Sequence, residues 1–305
     1  MDPSTHQFSV PVVFLTNGSD VSEANKAEML SVRLGVDIRE DQVVLVNSPL
    51  RVFESWHERS VLFSGQGDVE GLARSFGFSK PTSVESLLKD LPMLDIVDHN
   101  KRPKMGKGVL PNDLPDYVPF GGVVITNTPI EWEIQTQVIL DVLMTGGGLR
   151  SYSDTPLPLL ACNPDLVWAA EYHLPRLANG AFVHSLCALY TELTGKVLDV
   201  TWCGKPTEVT YDYAKARLQS QADKLGVELG QIYGVGDNVD VDIVGANNAG
   251  LKSVLVCSGL YKNQDLVLEK GMSVPSKLAS RTENVHCDFI AKDIGVFIHH
   301  LIEGY

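Results

Sequence analysis

The stretch Tyr233-Gly234-Val235-Gly236-Asp237-Asn238-Val239-Asp240-Val241-Asp242-Ile243-Val244-Gly245-Ala246 decides how this chain is read. Ile232 to Val235 has the texture of a short buried strand, and Asp237 opens an acidic loop at its carboxyl end. In open α/β sheets that end is where ligands bind. Carboxylates there suit a hard cation such as Mg²⁺, which takes one or two of them and otherwise waters and phosphate oxygens. Gly236 lets the backbone turn tightly into the loop. A calcium EF-hand does not fit, because position five counted from Asp240 is Val244 rather than an oxygen ligand. Taken alone, an Asp-rich turn is more often a solvated cap than a metal site, so the rest of the chain has to decide.

Outward from this stretch, short apolar β-branched runs alternate with segments of helical period, the pattern of α/β folds with largely parallel sheets. Towards the carboxyl end, Ser253 to Val256 reads as a strand, Asp242 to Ala249 as a helical turn and Ile294 to Ile302 as a closing helix. Towards the amino end lie helices on Tyr211, Ala214, Leu218, Ala222 and Leu225, and on Phe182, Leu186, Leu189 and Leu193. Pro206 and Gly226 punctuate the former as helix chemistry requires. Val10 to Leu15 reads as a strand, followed by a turn at Thr16-Asn17-Gly18-Ser19 and a helical face on Ala27, Leu30 and Leu34 that Gly35 can terminate. Gln42 to Val46 is a further strand candidate.

Between about Leu50 and Gly180 the texture differs. Strand candidates are Val61 to Phe63, Gly122 to Ile125 and Leu157 to Cys162; helix candidates are Val69 to Phe76, Val84 to Leu91 and Trp132 to Met144. Asp98 to Phe120, with four prolines and four basic residues, reads as a long surface loop. Gly146-Gly147-Gly148 reads as a flexible connection. The chain therefore divides into a discontinuous domain over 1–49 and 181–305 and an inserted α/β domain over 50–180.

Composition narrows the function. The 305 residues are 44% hydrophobic and 8% aromatic, enough for one large core or two moderate ones. Lys and Arg number 25 against 38 Asp and Glu, a formal net charge of −13 that repels a phosphate backbone, so nucleic acid is not an expected partner. Five cysteines, odd in number and without a Cys-x-x-Cys pair, indicate neither a disulfide framework nor a structural zinc site, and a reducing compartment fits. The eight histidines form no metal-ligand spacing. No apolar run approaches the roughly 20 residues of a membrane span. The amino end shows neither a basic n-region nor an Arg-rich amphipathic face, so no targeting segment is visible and a cytoplasmic protein is the expectation if the chain is a mature form.

The extended pattern resolves the ambiguity of the acidic turn. Gly236, Asp237, Asn238, Asp242, Ile243, Gly245, Ala246, Ala249 and Gly250 resemble the fourth motif of the haloacid dehalogenase-type (HAD) phosphatases. Phe14-Leu15-Thr16-Asn17 resembles the second motif and Gly204-Lys205-Pro206 the third, while Cys162-Asn163-Pro164-Asp165 matches the Asn-Pro-Asp signature of the large-cap, NagD-like subgroup (class IIA). Val61 to Gly67 and Leu94 to Asp98 look most like the cat eye syndrome critical region protein 5 family, also called HAD-like hydrolase domain-containing 5. The resemblance spans residues 10 to about 260. It implies a Rossmann-like core with a parallel sheet plus an inserted α/β cap, and a Mg²⁺-dependent phosphate-ester hydrolase acting on a small phosphorylated molecule. It further implies that Thr16 and Asn17 hold phosphoryl oxygens, that Lys205 neutralises the phosphate, that Asp237 and Asp242 serve the metal, and that the protein is mitochondrial. Oligomeric state and substrate are not legible.

One family element is missing. HAD enzymes attack with the first aspartate of an Asp-x-Asp-Gly sequence at a strand end, and no such sequence precedes Thr16. In the family's sheet that strand lies centrally, between the strand ending at Thr16 and the one ending at Asp237. Its loss leaves two inner edges; each unpaired buried backbone group costs about 1–3 kcal/mol against a domain stability of roughly 5–15 kcal/mol. The expectation is an N-terminally shortened form impaired in catalysis, with a non-catalytic phosphometabolite-binding or interaction protein as the alternative. A dinucleotide site on Gly65, Gly67 and Gly71 with Glu85 is a weaker third reading, because the glycine spacing is one residue too long.

Overall fold

The computed structural model describes residues 8–19, 21–95, 117–263, 266–276 and 284–303. In chain order, β1 (Phe14–Leu15), α1 (Glu23–Leu34) and β2 (Val43–Val44) come first. Next are α2 (Glu54–His57), β3 (Ser60–Ser64), α3 (Val69–Ser75), β4 (Lys80–Ser83), α4 (Val84–Asp90), β5 (Val123–Ile125), α5 (Trp132–Met144) and β6 (Leu159–Cys162). They are followed by β7 (Val167–Trp168), β8 (Arg176–Leu177), α6 (Asn179–Thr194), β9 (Val200–Cys203) and α7 (Glu208–Leu225). The chain ends with β10 (Tyr233–Gly236), a π-helical turn at Val239–Ile243, α8 (Val244–Asn248), β11 (Lys252–Val256), β12 (Leu268–Pro275), β13 (Asn284–Ala291) and α9 (Ile294–Glu303). Two units result: Met1–Leu45 with Gly204–Tyr305, and Val46–Cys203.

The inserted unit is built on a five-stranded parallel sheet of order β4-β3-β5-β6-β9. A parallel sheet covered on both faces needs strands that are apolar throughout. Accordingly Val61, Leu62 and Phe63, and Val123, Val124 and Ile125, are wholly buried. The apolar face of α5 supplies Val138, Ile139, Val142 and Leu143 to the same core, and Trp132 meets Phe182 of α6 edge-on at 5.3 Å. Leu189 and Leu193, on the stripe that marks α6 in the sequence, are exposed, so the buried face of that helix is narrower than its periodicity suggests.

Two boundary features follow from this packing. Helix α6 and strand β9 complete the inserted unit's core and sheet, so the second boundary falls after Cys203 rather than near residue 180. The three consecutive glycines are a packed turn rather than a flexible connection. Gly147 receives a hydrogen bond from Phe120 N and another from the Tyr117 hydroxyl, and at φ +85° a Cβ there would sit 2.0 Å from the Phe120 carbonyl. Of the long loop expected at Asp98 to Phe120, residues 98–116 lie outside the described residues.

The other unit holds two separate sheets. Parallel β1 and β2 form one, and β10-β11-β13-β12 the other, with β12 antiparallel at its edge. Among the described residues β1 pairs only with β2 and β10 only with β11, so each lies at a sheet edge. Val235 of β10 is accordingly 37% exposed. Helix α1 is fixed at both ends, Ser22 accepting from Asn25 N at the start and Gly35 adopting the left-handed cap at φ +68°.

In the inserted unit Glu70 links α3 to α4: its carboxylate accepts from Ser83 N at 2.9 Å and pairs with Arg74 at 3.1 Å. Burial alone would raise this carboxyl, but hydrogen bonds from Ser86, Ser83 and Arg74 outweigh it and bring it from 4.5 to about 2. A depressed folded pKa gives stability that is complete above the unfolded value and lost as pH falls through the folded one. Glu70→Gln is therefore expected to flatten the decline in melting temperature between about pH 4.5 and 2. An unchanged slope in thermal melts would remove Glu70 from the acid response.

Candidate functional site

The chain leaves β1 with Thr16 N still bonded to the Val44 carbonyl, then turns as the Thr16 hydroxyl accepts from Gly18 N at 3.1 Å. This turn directs Asn17 at Lys205, 188 residues away. Lys205 N donates to Asn17 Oδ1 at 2.7 Å and Asn17 Nδ2 donates to the Lys205 carbonyl at 3.0 Å, a reciprocal clasp on one backbone unit. From the other side the first turn of α7 holds Gly204. Gly204 N donates to Thr210 Oγ1 and the Thr207 hydroxyl donates to the Gly204 carbonyl, both at 2.7 Å. Thr207 is the N-cap residue of α7, but its hydroxyl serves the Gly204-Lys205 loop instead of the helix.

With its backbone held twice, Lys205 extends its ammonium to Asp242, Nζ to Oδ1 at 2.6 Å, the two side chains only 16% and 12% exposed. Asp242 lies in the π-helical turn, a local widening that recurs at functional sites. Its second oxygen accepts from Asn238 N at 3.0 Å, and its carbonyl accepts from the Tyr211 hydroxyl at 3.2 Å. Burial, and secondarily the Asp242 charge, push the Tyr211 phenol well above its ordinary value, so it remains a donor. Gly236 serves by lacking a side chain: a Cβ there would meet Asp242 Cβ at 2.3 Å.

Asp237, first residue beyond β10, is held by the segment after β11. Leu260 N donates to its Oδ2 at 2.7 Å and Tyr261 N to its carbonyl at 3.1 Å. Asp240 accepts from Ser276. Asn17, Lys205 and Asp242 thus form one hydrogen-bonded chain; Thr16 sits one residue away in the same turn, and Asp237 ends the strand that leads into the π turn. Among the described residues no three His, Cys, Asp or Glu side chains gather as a metal-ligand set. A hard cation fits Asp237 better than Asp242, because the Lys205 ammonium at 2.6 Å already offsets the Asp242 charge and would repel a second cation.

The remaining sequence features fall in the inserted unit. Asn163, at φ +65°, accepts from Asp165 N and donates its own N–H to the Cys203 carbonyl, so the Asn-Pro-Asp signature is a closed turn joining β6, β9 and the start of α6. The dinucleotide reading does not hold. Glu85 accepts from Gln135, and Asn127 Oδ1 fills the Gly65-Gln66 turn by accepting from Gln66 N.

Comparison with known proteins agrees with this geometry. Residues 4–79 match the family model described as haloacid dehalogenase-like hydrolase, and residues 202–280 that described as HAD-hydrolase-like. The mitochondrial hydrolase YKR070W of Saccharomyces cerevisiae is 30% identical over 291 residues, covering 84% of this chain and 80% of that protein. The chain belongs to the haloacid dehalogenase-like hydrolases. HAD folds recur among solved structures: the p-nitrophenyl phosphatase from Archaeoglobus fulgidus superposes with a TM-score of 0.55 at 21% identity, covering 84% of this chain and 76% of that one. NagD from Escherichia coli K-12 superposes with 0.51 at 19%, covering 84% and 77%. No helix among the described residues is long and apolar enough to cross a membrane.

Thr207, Thr210 and Tyr211, which hold the Gly204 backbone and the Asp242 turn, were not assigned to the site from the sequence. A Thr-x-x-Thr directly after Gly-Lys-Pro at a helix start was the available signal, since hydroxyls there satisfy exposed backbone groups. Lys205→Met is expected to destabilise the fold by about 3 kcal/mol, because it strands the Asp242 carboxylate, and Asp242→Asn on the same background to restore part of that loss. Strictly additive effects in urea denaturation would show that the two side chains do not act as a pair.

Proposed function

We propose that this HAD chain is a Mg²⁺-dependent phosphomonoester hydrolase scaffold acting on a small phosphorylated molecule, and that it resides in mitochondria like its yeast relative. The observation that carries the reading is the Lys205 cluster. A buried, backbone-fixed ammonium sharing its charge with a single carboxylate suits a group that neutralises a phosphoryl oxygen without reorganising. In this reading the Asn17 clasp fixes where Lys205 stands, Asp242 orients its Nζ, and the Thr16-Asn17 turn offers hydroxyl and amide donors to the phosphoryl oxygens. Asp237 would hold Mg²⁺, which would supply positive charge to offset that of the phosphate.

These 305 residues contain no Asp-x-Asp-Gly sequence, and in this reading they lack the family's attacking carboxylate. The 305-residue chain is therefore expected to leave p-nitrophenyl phosphate intact in the presence of Mg²⁺. A form extended by a strand with that sequence ahead of β1 is expected to hydrolyse it, with a loss of about 10²-fold or more in Asp237→Asn and Lys205→Met. Turnover by the 305 residues themselves would mean that another carboxylate attacks. Saturable phosphate binding with both forms inactive would favour a binding protein, a reading supported only by the missing motif.

A further inference from the structure

Two of the five thiols oppose each other across a strand pair. Cys162 ends β6 and Cys203 ends β9, and the parallel register places them directly opposite. Register partners project to the same face, and adjacent strands stand about 4.8 Å apart. That separation lies inside the Cα window of about 4.4–6.8 Å that a disulfide requires. Both side chains are fully buried and both are free thiols. A hydrogen bond to Cys203 and then burial push the Cys162 thiol well above its ordinary range. The other cysteines lack this arrangement: Cys187 lies on α6, Cys257 follows β11, and Cys287 opposes Met272 across the β12–β13 pair.

We propose that Cys162 and Cys203 are a redox pair that closes to an intramolecular disulfide under a peroxide. One thiolate attacks a peroxide oxygen: an S–O bond forms, the O–O bond breaks, and the leaving hydroxide takes a proton as water. The second sulfur then attacks the sulfenic sulfur, forming the S–S bond and releasing a second water, so two thiols lose two electrons and one peroxide gains them. Burial keeps the thiolate fraction small and the reaction slow, so it proceeds through local opening of the β6–β9 carboxyl end. The position matters because Cys203 immediately precedes Gly204-Lys205, and its carbonyl receives the Asn163 N–H. Oxidation would staple the strand that delivers Lys205 to the Asn-Pro-Asp turn.

The test is hydrogen peroxide treatment of the folded 305-residue chain, alkylation of the remaining thiols, and non-reducing peptide mapping by mass spectrometry. The proposal expects a cross-linked pair of peptides containing Cys162 and Cys203, lighter by about 2 Da than the two free peptides. Alkylatable thiols in the denatured protein should fall from five to three and return with dithiothreitol. Cys203→Ser should abolish the cross-link. Oxidation of the partly exposed Cys187 or Cys257 while Cys162 and Cys203 stay alkylatable would overturn it, as would a cross-link between any other pair. The deciding sample is the unmutated chain, so the outcome does not depend on whether the variant folds.

Discussion

The ion pair between Lys205 and Asp242 constrains everything around it. Burying a carboxylate to 12% exposure, or an ammonium to 16%, is costly without an opposite charge beside it. Each therefore needs the other at short range, and the rest of the unit is arranged to keep them there. Asn17 reaches across 188 residues of sequence to grip the Lys205 backbone, Thr207 and Thr210 at the start of α7 hold Gly204, and Tyr211 supports the turn carrying Asp242. Distant parts of the chain converge on one charge pair at the carboxyl ends of β1 and β10. A phosphate site needs such rigid, pre-placed charge.

The same arrangement gives Asp237 and Asp242 different work although they lie in one acidic loop. Asp242 has both oxygens engaged, one by the ammonium and one by Asn238 N–H, whereas Asp237 is steadied through Oδ2 by a single backbone donor at Leu260. Carboxylates five residues apart are thus divided by their neighbours into a partner for the lysine and a candidate partner for a cation. Among the described residues the two strands that lead into this cluster, β1 and β10, belong to separate sheets.

Much of this was legible in the sequence because it rests on local chemistry. Gly35 and Gly226 mark helix ends that only a residue tolerant of positive φ can take, and the uninterrupted apolar runs at Val61 and Val123 announce buried parallel strands. The motifs Thr16-Asn17, Lys205 and Asp242 were recognisable by residue type and order, and they meet in space. What was not legible depends on tertiary packing. The β12–β13 hairpin escaped notice because β12 is largely exposed and contains Gly271 and Pro275, which read as loop. The three glycines near 147 read as slack until the Phe120 carbonyl is seen filling the space a side chain would need. Similarly, α6 shows its allegiance to the inserted unit only through Trp132 and its neighbours.

The central claim is that Lys205, fixed by Asn17 and Asp242, forms a pre-built oxyanion site. Calorimetric titration of the 305-residue chain with tungstate in the presence of Mg²⁺ tests it without requiring turnover. The account predicts saturable one-to-one binding, lost in Lys205→Met and weakened about tenfold in Asn17→Ala, a change of about 1.4 kcal/mol that the loss of the clasp would produce. Binding unaffected by either substitution, or no binding by a chain shown to be folded, would contradict it.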